Sequence, residues 1–176
     1  MTTNERALDM LSKALEMEKK GKAFYDQAVH MCKNALGIEI FKILSNDELV
    51  HTERIKTIYT ALSGGGKWTD AWAAMKFAHK DLSVLFKELA AKRGKDIKAD
   101  TGDIEALGIG VDFEQKSVKF YQEHLKSAAD PMERKFLDQM IVEEKGHFAV
   151  LVDTKQYLEN PAAWFSEKER SGYDGG

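Results

Sequence analysis

Four glutamates and two histidines recur in this 176-residue chain at a spacing that suits a pair of metal ions. Glu18 is followed 30 residues later by Glu48, and Glu114 is followed 30 residues later by Glu144. Each second glutamate opens a Glu-x-x-His that ends at His51 or His147, and a shift of 96 residues lays one set on the other. The same shift carries Phe24–Tyr25 onto Phe120–Tyr121 and Asp47 onto Glu143. On a helix, Glu-x-x-His puts both side chains on one face, one turn apart, so each repeat can offer an oxygen and a nitrogen to one ion. Burying a lone carboxylate costs on the order of several kcal/mol unless it is paired or binds a metal. Four of them in one layer also repel each other, and two divalent cations cancel that charge.

These side chains need rigid elements to bring them together. Proline occurs only at Pro131 and Pro161, and helix-favouring stretches without period-two alternation cover residues 4–31, 36–62, 103–128 and 131–159. Asp130 suits the N-cap of the last of these, with Pro131 at its first position, and Asn160-Pro161 ends it. Short joins make the first two helices one antiparallel hairpin and the last two another. The fold class is therefore all-α, a four-helix bundle with one long crossover. Repeat one covers about 4–62, the crossover about 63–102, repeat two about 103–159, and residues 161–176 form a C-terminal tail. The crossover opens at Gly64-Gly65-Gly66 and carries Met75, Ala78, Leu82, Leu85, Phe86 and Leu89 at helical spacing, which predicts a short fifth helix. In the tail, Trp164–Phe165 is expected to tuck onto the bundle.

The helical period assigns the ligand candidates to core faces. In the second helix the seam reads Phe41, Leu44, Glu48, His51, Ile55, Ile58, Leu62, and in the fourth Leu137, Met140, Glu144, His147, Leu151, Thr154, Leu158. The first reads Leu11, Leu15, Glu18, Lys22, Tyr25, Val29, and the third Leu107, Val111, Glu114, Val118, Tyr121, Leu125. Glu16, Glu53, Glu123 and Glu133 fall off these seams and read as solvated charge. Tyr25 and Tyr121 stand two turns beyond Glu18 and Glu114, within reach of a carboxylate on a neighbouring helix. Asp47 and Glu143 are placed to orient the imidazole of the opposite repeat. His30, His79 and His124 lack a glutamate three residues earlier and read as exposed or structural. One Glu from each of two helices plus Glu-x-x-His from each of two others is the ligand pattern of di-iron and di-manganese carboxylate bundles.

Composition narrows the alternatives. A net charge of −3 with acids and bases interspersed offers no basic stripe for nucleic acid. Cys32 stands alone, so no internal disulfide or cysteine-built metal centre is available, and its expected place is in the core. No apolar run approaches the ~18 residues of a membrane span, and the polar start does not resemble a signal peptide, so a cytoplasmic location is expected. Carboxylates with two imidazoles suit iron, manganese or a mixed pair, and the lack of thiolates argues against a structural zinc site.

At these residues the chain resembles the rubrerythrin branch of the ferritin-like superfamily. Glu18-Lys-Lys-Gly21-Lys-Ala-Phe24-Tyr25 and Glu114-Gln-Lys-Ser117-Val-Lys-Phe120-Tyr121 are similar to its paired helix signatures. Asp47-Glu48-Leu-Val-His51 and Glu143-Glu144-Lys-Gly-His147 are similar to its two Glu-x-x-His elements. The resemblance implies two iron ions, with Glu48 and Glu144 bridging, Glu18 and Glu114 terminal, and His51 and His147 binding one ion each. It implies reduction of hydrogen peroxide or dioxygen, as in oxidative stress. The alternative it leaves is an iron-binding ferroxidase for sequestration or transfer. The chain departs from rubrerythrin proper in two places: a cysteine-rich rubredoxin domain is missing, and Ser117 stands where that family has a further glutamate. Electrons would then come from a separate donor, a rubredoxin-like protein or a flavin reductase. A homodimer is expected, and the Gly64–Gly66 hinge would permit helix exchange between chains.

Overall fold

The computed structural model describes residues 3–95, 97 and 99–173, and among them it contains six α-helices and no strand. Helices α1 (Thr3–Met31) and α2 (Ala35–Ser63) form one hairpin; α4 (Thr101–Ser127) and α5 (Pro131–Glu159) form the other. Between them run a 3-10 turn at Ala71–Ala74 and helix α3 (Leu82–Arg93), and α6 (Pro161–Tyr173) follows the second hairpin.

Short polar side chains set the helix starts. Asn34 accepts from the amides of Leu36 and Gly37, Asp81 from Val84, and Asp130 from Met132 and Glu133 with Pro131 next in line. Asp100 and Asp103 form a capping box at α4. Asp103 also accepts from the amides of Lys33 at 2.8 Å and Asn34 at 3.0 Å, so the start of α4 clamps the turn of the first hairpin. Arg6, near the start of α1, does the matching job with a 2.6 Å ion pair to the fully buried Glu133 of α5. Glu133 is therefore not the solvated charge its off-seam position suggested; a partner from the far end of the chain satisfies it. Gly94 ends α3 at φ +69, a left-handed conformation that suits a residue without Cβ.

Two expectations about minor elements need correction. The fifth helix starts only at Leu82, and Met75 and Ala78 lie in irregular backbone before it, because Asp81 caps a helix whose buried face is Leu82, Phe86, Leu89 and Ala90. The tail continues as helix α6 rather than as a simple end, since Pro161 restarts the chain at a first-turn position where its missing N–H costs nothing. Trp164 does pack inward, edge-on to Phe86 at 5.5 Å and against Tyr157 at 5.5 Å.

The core falls into two apolar clusters. One gathers Tyr25, Leu36, Phe41, Leu44, Leu107, Leu151 and Tyr157 with α3 and α6; the other gathers Met10, Leu11, Ile55, Ile58, Trp68, Trp72, Phe136 and Met140. Every residue of the predicted α2 and α5 seams is buried. On α1 and α4 the buried line runs through Ala7, Met10, Leu11, Ala14, Glu18, Gly21, Tyr25 and Ala28, and through Leu107, Gly110, Glu114, Ser117 and Tyr121, with small residues among the predicted anchors. Leu15, Lys22, Val29, Val111, Val118 and Leu125 are only half-buried. The reason is close approach: a Cβ on Gly21 would stand 2.6 Å from the Phe113 ring, and one on Gly110 3.2 Å from Leu151.

Candidate metal centre

The polar layer lies between the two apolar clusters. Glu18 projects from α1, Glu48 and His51 from α2, Glu114 from α4, and Glu144 and His147 from α5, each at most 1 % exposed. The structure brings all six together. Glu18, Glu48, His51 and Glu144 offer ligand atoms within 4.8 Å of one another, and so do Glu48, Glu114, Glu144 and His147. Glu48 and Glu144 belong to both groups, which makes two adjoining positions with a shared pair of carboxylates.

Each imidazole points Nδ1 into this layer. His51 Nδ1 lies 3.2 Å from Glu18 and 3.0 Å from Glu144; His147 Nδ1 lies 3.7 Å from Glu114, 3.6 Å from Glu144 and 3.7 Å from Glu48. The Nε2 atoms point outward to carboxylates of the opposite repeat, His51 to Glu143 at 3.0 Å and His147 to Asp47 at 3.1 Å. An Nε2–H held in this way leaves the Nδ1 lone pair free for a cation. The tyrosines cross over likewise: Tyr25 of α1 donates to Glu114 of α4, and Tyr121 of α4 donates to Glu18 of α1. Burial, and then the nearby carboxylates, push both phenols well above 10.0, so they stay protonated and act as donors.

The layer is underbonded as it stands. Both oxygens of Glu48, both of Glu144, Oε2 of Glu114 and Nδ1 of His147 are buried with no hydrogen-bond partner; the 3.0 Å approach of His51 to Glu144 has the distance but not the angle of one. Buried polar atoms are almost always satisfied, so a set of orphans all facing one point is what a missing cation leaves. Without metal, protons do the neutralising. Burial, then repulsion by Glu48 and Glu144, pushes Glu18 well above 4.5, and burial with Glu144 does the same to Glu114. Burial opposes charge on His51 and His147, but the surrounding carboxylates outweigh it and raise both well above 6.5. Burial also acts against ionised Glu48 and Glu144, yet donors around them hold both below 4.5. Four carboxylates and two imidazoles around one buried centre are a donor set whose charge two divalent cations would cancel, so the residues fit a pair of divalent ions.

Around the layer, Arg54 and Phe77 were not singled out by sequence, and His79 was read only as exposed or structural. Arg54 is 2 % exposed and donates to Glu143 at 2.5 Å and to the Met75 carbonyl at 2.6 Å. Burial alone would raise Glu143, but His51 and Arg54 bring it down to about 2. Phe77 of the crossover lies against His51 at 5.4 Å and His147 at 5.8 Å, and His79 donates to Asp47 at 2.6 Å. The only sequence signal for them was an arginine in the buried phase of the α2 period, three residues after His51. His30 is exposed, and His124 is half-buried against Phe120 at 4.5 Å.

A family model described as Rubrerythrin matches residues 9–155, a span that holds all six layer residues and both tyrosines. Comparison with curated proteins and with solved structures gave no match. Among the described residues, no helix is long and apolar enough to cross a membrane.

Proposed function

The chain belongs to the rubrerythrin family, and from that membership we propose a non-haem di-iron oxidoreductase that reduces hydrogen peroxide or dioxygen. The observation that carries this reading is the sharing of Glu48 and Glu144 between two ligand groups. In it, Glu48 and Glu144 would be shared by the two ions, Glu18 with His51 would hold one, and Glu114 with His147 would hold the other. Hard carboxylate oxygens and two imidazoles suit iron, and they suit manganese nearly as well. When bound, a ferrous pair supplies two electrons and open coordination positions to the oxidant. The surrounding side chains do the rest. Tyr25 and Tyr121 fix the terminal carboxylates by donation, Asp47 and Glu143 fix the imidazoles, and Phe77 keeps water from the outer edges of the rings.

Converting one peroxide to two waters consumes two electrons and two protons. These 176 residues hold a single cysteine and so no four-cysteine iron site, and the proposed source of electrons is a carrier outside them, of rubredoxin or flavin-reductase type. The test is metal analysis of protein purified without air, followed by absorption spectra before and after peroxide, with and without an electron donor. Two irons per chain and donor-driven peroxide consumption support the oxidoreductase. Iron that is oxidised once and then leaves the layer, with no turnover, points instead to iron handling and overturns the proposal.

A further inference from the structure

Both imidazoles turn Nδ1 into the layer, and they differ in what holds the acceptor of Nε2. The carboxylate that receives His51, Glu143, is held from two further sides by Arg54 at 2.5 Å and Gln139 at 2.7 Å. The carboxylate that receives His147, Asp47, is held among the described residues by a single further side chain, His79 at 2.6 Å. The 96-residue shift carries Arg54 to Val150, so the guanidinium serves one repeat only. His79 belongs to the crossover, which no repeat copies. Its ring stacks on Phe77 at 5.2 Å and 28°, and its Nδ1 is buried with no hydrogen-bond partner. Asp47 is therefore the one polar contact that explains where this ring sits.

We infer that His79 is a positioning residue: it orients the Asp47 carboxylate, and through it the imidazole of His147, so that one metal position of the pair depends on His79 and the other does not. The inference rests on the reading of the six buried groups as metal ligands. An aspartate on a helix can turn about χ1 and χ2 unless a second donor fixes it. Asp47 Oδ2 takes both His79 Nε2–H and His147 Nε2–H, and that fork sets the plane of the His147 ring. Without His79, Asp47 has no other side chain to hold it, and His147 loses its fixed tautomer and direction. His51 keeps Glu143, Arg54 and Gln139 whatever happens at His79.

The test is calorimetric titration of the full chain with cobalt(II), a redox-stable probe for the ferrous ion, without air. Wild type should take two equivalents. His79→Ala should leave one equivalent unchanged and weaken the other about 10–100-fold, the usual cost of losing an outer partner of a ligand histidine. His79→Gln restores an N–H donor and should recover most of that loss, which packing alone would not do. Asp47→Asn should weaken the same equivalent as His79→Ala, and far-ultraviolet circular dichroism checks that each variant folds. Three results overturn the inference while leaving the metal reading intact: both equivalents unchanged in His79→Ala, both weakened together, or glutamine no better than alanine. A wild-type chain that takes fewer than two equivalents overturns both.

Discussion

The two halves of the bundle agree where they touch the polar layer and part company one shell further out. Glu18, Tyr25, Glu48 and His51 have counterparts in Glu114, Tyr121, Glu144 and His147, and each half buries its four. Around them the correspondence fails: Arg54 faces Val150, Gly21 faces Ser117, and the acid behind each imidazole is Asp47 in one half and Glu143 in the other. On the proposed reading a pair of like ions would ask for like ligands, which is the symmetry the inner set keeps. The outer shell answers to packing, and the crossover, whose Phe77 meets both rings, brings His79 to the acid behind one of them only. Symmetry is kept where charge must be cancelled and relaxed where only orientation is at stake.

The largest test of that contrast removes a shared carboxylate. Glu144→Ala should empty both positions, whereas Glu114→Ala should spare the one built on Glu18 and His51; metal analysis after anaerobic loading reads the difference. Next comes Arg54, the arginine with no counterpart in the other repeat. Arg54→Leu leaves Glu143 buried without its cation, and breaking a buried pair on one side costs about 3–5 kcal/mol, to be read by urea unfolding of the metal-free chain.

A smaller effect follows pH. Glu18 and Glu114 sit well above 4.5 and both layer histidines well above 6.5, so the folded, metal-free chain holds protons that the unfolded chain releases. Stability should therefore fall as pH rises beyond 4.5, and faster beyond 6.5, at about 1.4 kcal/mol per pH unit for each extra proton. Glu48, Glu144 and Glu143 are held below 4.5 and have already made their contribution in that window. Urea midpoints of chelated protein between about pH 5 and about pH 8 measure the slope, and loading with metal should reverse it. The smallest effect separates Gly21 from Ser117. Gly21→Ala drives a methyl to 2.6 Å from the Phe113 ring and should cost about 1–2 kcal/mol net of alanine's better helix propensity. Ser117→Ala removes only a 3.3 Å bond to its own helix and should change thermal stability by less than about 1 kcal/mol.

How far the sequence could be read follows the same division. The α2 and α5 seams were legible throughout, because large apolar residues flank Glu48, His51, Glu144 and His147 at every three or four positions. On α1 and α4 the polar anchors Glu18, Tyr25, Glu114 and Tyr121 were legible, but the line between them was not. Gly21, Gly110 and Ser117 carry almost no hydrophobic signal, and the nearby Val29, Val118 and Leu125 outweigh them in any periodicity. The crossed contacts of Tyr25, Tyr121, Asp47 and Glu143 follow from spacing alone once two hairpins are assumed. Arg54 with the Met75 carbonyl, Phe77 over both rings and His79 on Asp47 do not, since each needs the tertiary path of a crossover with no repeat to predict it, and Arg6 on Glu133 joins two residues whose repeat counterparts, Gly102 and Gly37, carry no side chain.

The account turns on two ions sharing Glu48 and Glu144, and anomalous scattering from crystals grown with iron(II) under argon tests it most directly. Two peaks about 3.5–4 Å apart, flanked by Glu48 and Glu144 with one histidine on each, are the predicted result. A single peak, or a layer in which those carboxylates bond directly to each other and to the histidines with iron bound elsewhere, would contradict it.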